Sequence, residues 1–177
     1  TRRGRAVIGA VIGVVVIGSG ALLCAGTMMG TPPAGPYAQY PMEVLAYNEL
    51  GMHCMQQDFS EMMILPPFNT LRAQVIDRTH GSPEIVTSGI TVKYRLATNT
   101  HGADKTNFWT YAPQLLGTTV PPEVGLGGNK VAGTMARTAV RDWQAVGIPL
   151  IPTDDSGREN PYPIATVTVE QNGVVVG

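Results

Sequence analysis

Ile90-Thr91-Val92-Lys93-Tyr94-Arg95-Leu96 sets Ile90, Val92, Tyr94 and Leu96 on one side of an extended chain and Thr91, Lys93 and Arg95 on the other. Apolar residues at every second position give a strand with one core face and one wet face. Leu71, Ala73 and Val75 alternate with Arg72 and Gln74 in the same way, and Ala165, Val167 and Val169 alternate with threonines. Asn172-Gly173 ahead of residues 174–176 is a type I′ hairpin signal. Short strands are expected at 44–47, ended by the turn-like residues 48–51, and at 85–87. The 21 glycines and 14 prolines demand many turns and argue against a helical bundle. Residues 43–177 are therefore expected to form one mainly β domain, an Ig-like β-sandwich with long loops.

Two stretches interrupt the strands. Residues 98–130 and 147–163 are rich in turn formers and carry no strand alternation, and loops of that length serve as functional surfaces or partner contacts. Trp109 and Tyr111, flanked by Phe108, are expected as anchors beneath the first. Between the first two strands, Met52, Met55, Phe59 and Met62 or Met63 recur at helical spacing. That spacing predicts one or two helical turns packed on a sheet, stopped by Pro66 and Pro67.

N-terminal to the domain, residues 6–29 run without a charge. At about 1.5 Å per residue they reach about 36 Å, enough to cross a ~30 Å hydrocarbon core with some tilt. A single transmembrane helix over 6–29 is expected, after a cytoplasmic tail of residues 1–5 holding Arg2, Arg3 and Arg5. No basic residue follows until Arg72, so the positive-inside bias places the domain on the far side. The setting this implies is the bacterial inner (cytoplasmic) membrane, with a cytoplasmic N-terminus and a periplasmic domain. A cleaved signal peptide shares the basic start and the small residues Ala25 and Gly26, but its apolar run is normally shorter. Lipid attachment at Cys24 is disfavoured by Leu23, where a small residue is usual. Gly9 and Gly13 form a small-xxx-small pair that lets a second helix approach. Residues 30–42 are a Pro/Gly linker, in which Tyr37 and Tyr40 are expected as anchors at the lipid bilayer's interface.

Nine of the twelve basic residues and all thirteen acidic ones fall in 43–177, a net charge of −4 with no basic run, so nucleic acid is not an expected partner. Cys54 is the domain's lone cysteine and cannot form an internal disulfide. Met52, His53, Cys54 and Met55 supply the thioether, imidazole and thiolate that select Cu(I), which makes them the candidate metal ligands. Against that, adjacent His53 and Cys54 diverge by about 100° on a helix, and a methionine stripe is more often core filler. A blue-copper site needs a further histidine, for which only His80 and His101 remain. C-x-x-C-H is absent, removing the usual covalent haem attachment. Residues 125–130 miss the phosphate-loop spacing, and residues 154–160 miss that of an EF-hand, so both are expected as turns. No catalytic set emerges, and no cofactor is expected.

Asn48-Glu49-Leu50-Gly51-Met52-His53-Cys54-Met55, then Asp58-Phe59-Ser60 and Ile64-Leu65-Pro66-Pro67-Phe68-Asn69-Thr70-Leu71, resemble blocks of a group of exported bacterial proteins. Asn107-Phe108-Trp109-Thr110-Tyr111-Ala112, Val124-Gly125-Leu126 and Gly147-Ile148-Pro149-Leu150 look like later blocks of the same group. The resemblance implies a setting beside multihaem cytochromes or other electron-transfer membrane assemblies, and it assigns no catalytic residue. The C-x-x-C-H segments of some members are missing here. The expected function is that of a non-catalytic accessory subunit of a bioenergetic complex, photosynthetic or respiratory. It would contact other subunits through the membrane helix and the periplasmic loops. The alternative is a periplasmic copper or redox-metal binding protein.

Overall fold

The computed structural model describes residues 40–50 and 56–177. Their elements run in the order β1 (Met42–Leu50), β2 (Asn69–Asp77), β3 (Glu84–Val86), β4 (Thr91–Leu96), α1 (Phe108–Leu116), β5 (Ala132–Thr134), β6 (Ala136–Arg137), β7 (Trp143–Ile148), β8 (Ala165–Gln171) and β9 (Val174–Val175). Two antiparallel sheets result, mainly β with one short helix. The first has the order β1-β2-β7-β6, and the second β5-β4-β8-β9. β7 pairs with the first half of β2 and β3 with the second, so two short strands share one edge of it.

Alternation becomes burial in β4, where Val92, Tyr94 and Leu96 are buried and Thr91, Lys93 and Arg95 are exposed. These side chains join Ala73 and Val75 of β2, Trp143, Ala145 and Ile148 of β7, and Val169 of β8 in one core drawn from both sheets. Full burial of a side chain of this size contributes about 1.5–3 kcal/mol, so the shared core is what holds the sheets together. Tyr94 is buried with its hydroxyl donating to the Lys130 carbonyl at 2.7 Å, and burial pushes its phenol up to about 12. At the β8–β9 turn, Asn172 and Gly173 take φ of 52° and 80°, the two positive values a type I′ hairpin needs.

Four expectations require correction. β1 does not end in a turn after residue 47 but runs on to Leu50, with a register irregularity between Asn48 and Leu50. The stretch 98–130 is not wholly irregular, because it contains α1. Phe108 and Ala112, one turn apart, are buried, and Phe59 meets Phe108 edge-on with centroids 5.2 Å apart. Pro113 inside the helix disguises it in sequence, since proline removes an interior hydrogen bond. Helical turns do not form in the described part of 52–61. Instead the Gln56 side chain donates to the carbonyls of Asp58 and Met62 and accepts from the Ile64 N–H at 2.7 Å, stapling a loop. Strands β5, β6 and β7 were not expected: β7 turns Ala145 and Gly147 inward, residues too small to mark a core face.

Among the described residues no helix is long and apolar enough to cross a membrane. The expected span 6–29, with Gly9 and Gly13, and the linker as far as Tyr37 lie outside them.

Candidate functional site

Loops around Asp154 and Asp155 hold two of the buried polar residues, Asn99 and Asp154, within a network of side-chain bonds. Asp155 accepts from the Thr100 N–H at 2.9 Å and from Lys105 Nζ at 2.8 Å, and Lys105 also donates to Asn99 Oδ1 at 3.1 Å. Asn99 is buried and returns its amide to the Ile151 carbonyl. The Lys105 ammonium is the main reason the Asp155 carboxyl sits below its ordinary value. Asp154 accepts from the Ser156 hydroxyl at 2.6 Å and from the N–H groups of Ser156 and Arg158, which hold its carboxyl far below the usual range. Residues 154–160 therefore form the expected turn, with the Asp154 carboxylate turned inward onto its own loop. The Glu123 carboxylate likewise caps the N–H groups of Gly102 and Ala103 at 2.8 and 2.6 Å.

The helix side of this region is equally occupied. Trp109 donates Nε1–H to the Val124 carbonyl at 2.8 Å and meets Phe108 edge-on, so it anchors the loop that follows α1. Half-buried Tyr111 packs on the same small cluster. Residues 125–129 form a tight turn, closed by Gly125 N–H to the Asn129 carbonyl at 2.8 Å. A Cβ added at Gly127 would lie 2.1 Å from the Val146 carbonyl oxygen, so this turn lies backbone against backbone on β7.

The candidate copper ligands Met52, His53, Cys54 and Met55 lie outside the described residues. The two remaining histidines sit in separate loops: His80 Nδ1 is 3.4 Å from Asp77, and His101 lies 3.3 Å from both Asp104 and Asp155. Among the described residues no group of three or more His, Cys, Asp or Glu is placed to hold a metal ion. Tyr40 is half-buried, and its carbonyl accepts from Arg78 Nη2 at 3.0 Å.

One region contrasts with this satisfied chemistry. β1 is an edge strand of the first sheet, bonded to Val176 at Met42, and β9 with the two residues after it pairs with β8 from Gln171 to Val169. Between β1 and the uncovered part of β8 lie two cavities that share Ala165 and Val167. One, of about 460 Å³, runs along Met42 to Val44, and the other, of about 220 Å³, along Ala46 to Asn48. Leu71, Leu96 and Ile148 line the second. Three large exposed apolar side chains line these cavities, Tyr47 (54% exposed), Ile164 (71%) and Val175 (42%), and Leu45 (52%) lies on β1 between the two. Sequence reasoning missed this edge, because alternation reports which face a side chain takes and not whether the next strand is present. The one available signal was Leu45 and Tyr47, apolar on the face where solvent-exposed strands carry polar residues.

No known protein family, curated protein or solved structure matches this chain.

Proposed function

We propose that the chain is a non-catalytic, membrane-anchored accessory subunit that stabilises a bacterial bioenergetic membrane complex by contact. The observation that carries this reading is the set of exposed apolar side chains Leu45, Tyr47, Ile164 and Val175 beside the two cavities at the β1–β8 edge, since exposed apolar surface marks interaction sites. In the loop cluster, by comparison, Asp154, Asp155 and Lys105 are engaged with one another's loops and present a surface of completed hydrogen bonds. The uncharged run 6–29 after three arginines supports an inner-membrane anchor with the domain in the periplasm. The resemblance of the blocks around residues 48–71 supports an electron-transfer host, photosynthetic or respiratory. Within this reading the domain is an Ig-like sandwich. Strands β1-β2-β7-β6 take the A-B-E-D order, and β5-β4-β8-β9 the C′-C-F-G order.

Purification of the full chain in mild detergent, with mass spectrometry of co-migrating polypeptides, tests the proposal. A stable set of membrane subunits is expected to co-migrate, and Gly9→Leu with Gly13→Leu to weaken that association while insertion persists. A chain that purifies alone and turns over a substrate would overturn it. The second reading, a periplasmic copper or redox-metal protein, is supported by the ligand types at Met52, His53, Cys54 and Met55. Stoichiometric copper, lost in His53→Ala and Met55→Leu, would put it first.

A further inference from the structure

Lys105 turns its side chain inward, leaving it 7% exposed, against 19% for Arg72 and 46% for Lys93. Its Nζ donates to Asn99 Oδ1 at 3.1 Å and to Asp155 Oδ1 at 2.8 Å, so an amine, a carboxamide and a carboxylate meet at one enclosed nitrogen. Asp155 alone completes the ion pair that a buried lysine requires. The carboxamide is the additional element, and it is the one with an electrophilic carbon.

Each member of the trio is held in place. Asn99 is 1% exposed, and its Nδ2 donates to the carbonyl of buried Ile151, which turns Oδ1 toward the lysine. Asp155 is oriented by the Thr100 N–H at 2.9 Å and the Thr100 hydroxyl at 3.1 Å. The Lys105 N–H bonds to the Gly102 carbonyl at 2.9 Å, and a Cβ at Gly102 would lie 3.0 Å from the Trp109 ring and 3.2 Å from Ile151. Residues 99–105 are therefore a tight loop pressed onto an apolar wall. Asn99 Cγ lies one carbonyl bond, about 1.23 Å, beyond Oδ1. Rotation about the last bonds of the lysine side chain is then enough to bring Nζ over that carbon, to the ~3–3.5 Å of a near-attack arrangement.

We propose that Lys105 and Asn99 join in an intramolecular isopeptide bond, with Asp155 as the proton carrier. Lys105 passes a proton to Asp155, and the neutral amine attacks Asn99 Cγ. The Nζ–Cγ bond forms, the Cγ–Nδ2 bond breaks, and Nδ2 leaves as ammonium with the two protons that Nζ gives up, relayed by Asp155. Atoms and charge balance without an oxidant or a co-reactant. Enclosure favours the first step, because an ion pair taken out of water loses much of its advantage over the neutral pair, and it keeps water from competing for the carbon. The product closes a ring across residues 99–105 and ties the loop to the buried Asn99. The inference is independent of the accessory-subunit reading.

Intact-mass spectrometry of the full chain purified in detergent, followed by tryptic mapping after denaturation, tests it. The chain, or a fraction that grows on storage, is expected to be lighter by one ammonia. Trypsin should fail to cut that form after Lys105, and fragmentation should place the link between residues 99 and 105. Lys105→Arg keeps the ion pair with Asp155 and should restore the full mass, as should Asn99→Ala. Asp155→Asn should slow the loss about a hundredfold or more, the usual contribution of a positioned proton carrier. A chain of full mass at every age would overturn the proposal. So would an ammonia loss that leaves Lys105 open to trypsin, since succinimide formation at Asn172-Gly173 gives the same mass change from an exposed turn. Link formation at the wild-type rate in Asp155→Asn would overturn the role given to that carboxylate.

Discussion

The loop cluster and the β1–β8 edge belong to one domain but solve opposite problems. Around Asp154 and Asp155 the chain leaves regular structure, and side chains meet five of the main-chain amides it frees: Thr100 by Asp155, Gly102 and Ala103 by Glu123, Ser156 and Arg158 by Asp154, while Asp154, Asp155 and Gly157 donate to main-chain carbonyls. Along β1 and β8 the backbone is regular, and the exposed side chains at Leu45, Tyr47 and neighbouring Ile164 are apolar. Long loops are where function is usually sought. In this molecule the loops spend their polar groups on holding themselves, and the strand edge is the region that presents apolar side chains to solvent. Changes in the loops should therefore cost stability, and changes at the edge should cost association.

Phe108→Ala should have the largest effect, because Phe108 is fully buried against Phe59 and Trp109 at the base of the loops. About 4 kcal/mol of unfolding free energy should be lost, read from urea melts. Gly127→Ala comes next at about 3 kcal/mol, since the new methyl meets the Val146 carbonyl and the turn must move off β7. If either change left stability intact but broke complex association, the division between the regions would fail.

Acid should separate the regions more gently. Asp58, Asp154 and Asp155 all sit below their ordinary value of 3.8, held there first by Asn107, by the Ser156 hydroxyl and by Lys105 respectively. The unfolded chain therefore takes up protons before the folded one as pH falls. The stabilisation is complete above about pH 4 and declines below it, as pH falls through the lowered folded values. Urea midpoints should fall across that window, and Asp155→Asn should flatten the fall. A profile unchanged by Asp155→Asn would remove that carboxylate from the cluster's support.

The smallest stability effect belongs to the edge. Leu45→Ser and Tyr47→Ser should each shift unfolding by no more than about 0.5 kcal/mol, because both side chains already face solvent. Both should nevertheless lower co-purification with membrane subunits. A large stability loss would mean that the two side chains serve the fold itself.

Much of this architecture was legible in the sequence, and for a physical reason. Where a strand is half buried, as at β2, β4 and β8, the two-residue period shows directly, and Asn172-Gly173 announces its own turn chemistry. β7 stayed hidden because Ala145 and Gly147 bury backbone more than side chain, and α1 because Pro113 stands within nine residues. The methionine spacing before Pro66 suggested helix, while Gln56 side-chain bonds organise the described part of that stretch as a loop. The candidate site was the least legible part. The Asp155–Lys105 pair joins residues 50 apart in sequence, and an uncovered strand edge is a property of sheet order, which no local pattern encodes.

Site-specific photocrosslinking in intact membranes tests the central claim most directly. A benzophenone side chain placed at Tyr47 should capture one discrete second polypeptide under ultraviolet light, while the same group at exposed Glu159, beside the loop cluster, should capture none. Crosslinks at Glu159 with none at Tyr47, or a Tyr47 product confined to the chain's own residues, would contradict the assignment of the β1–β8 edge as the contact surface.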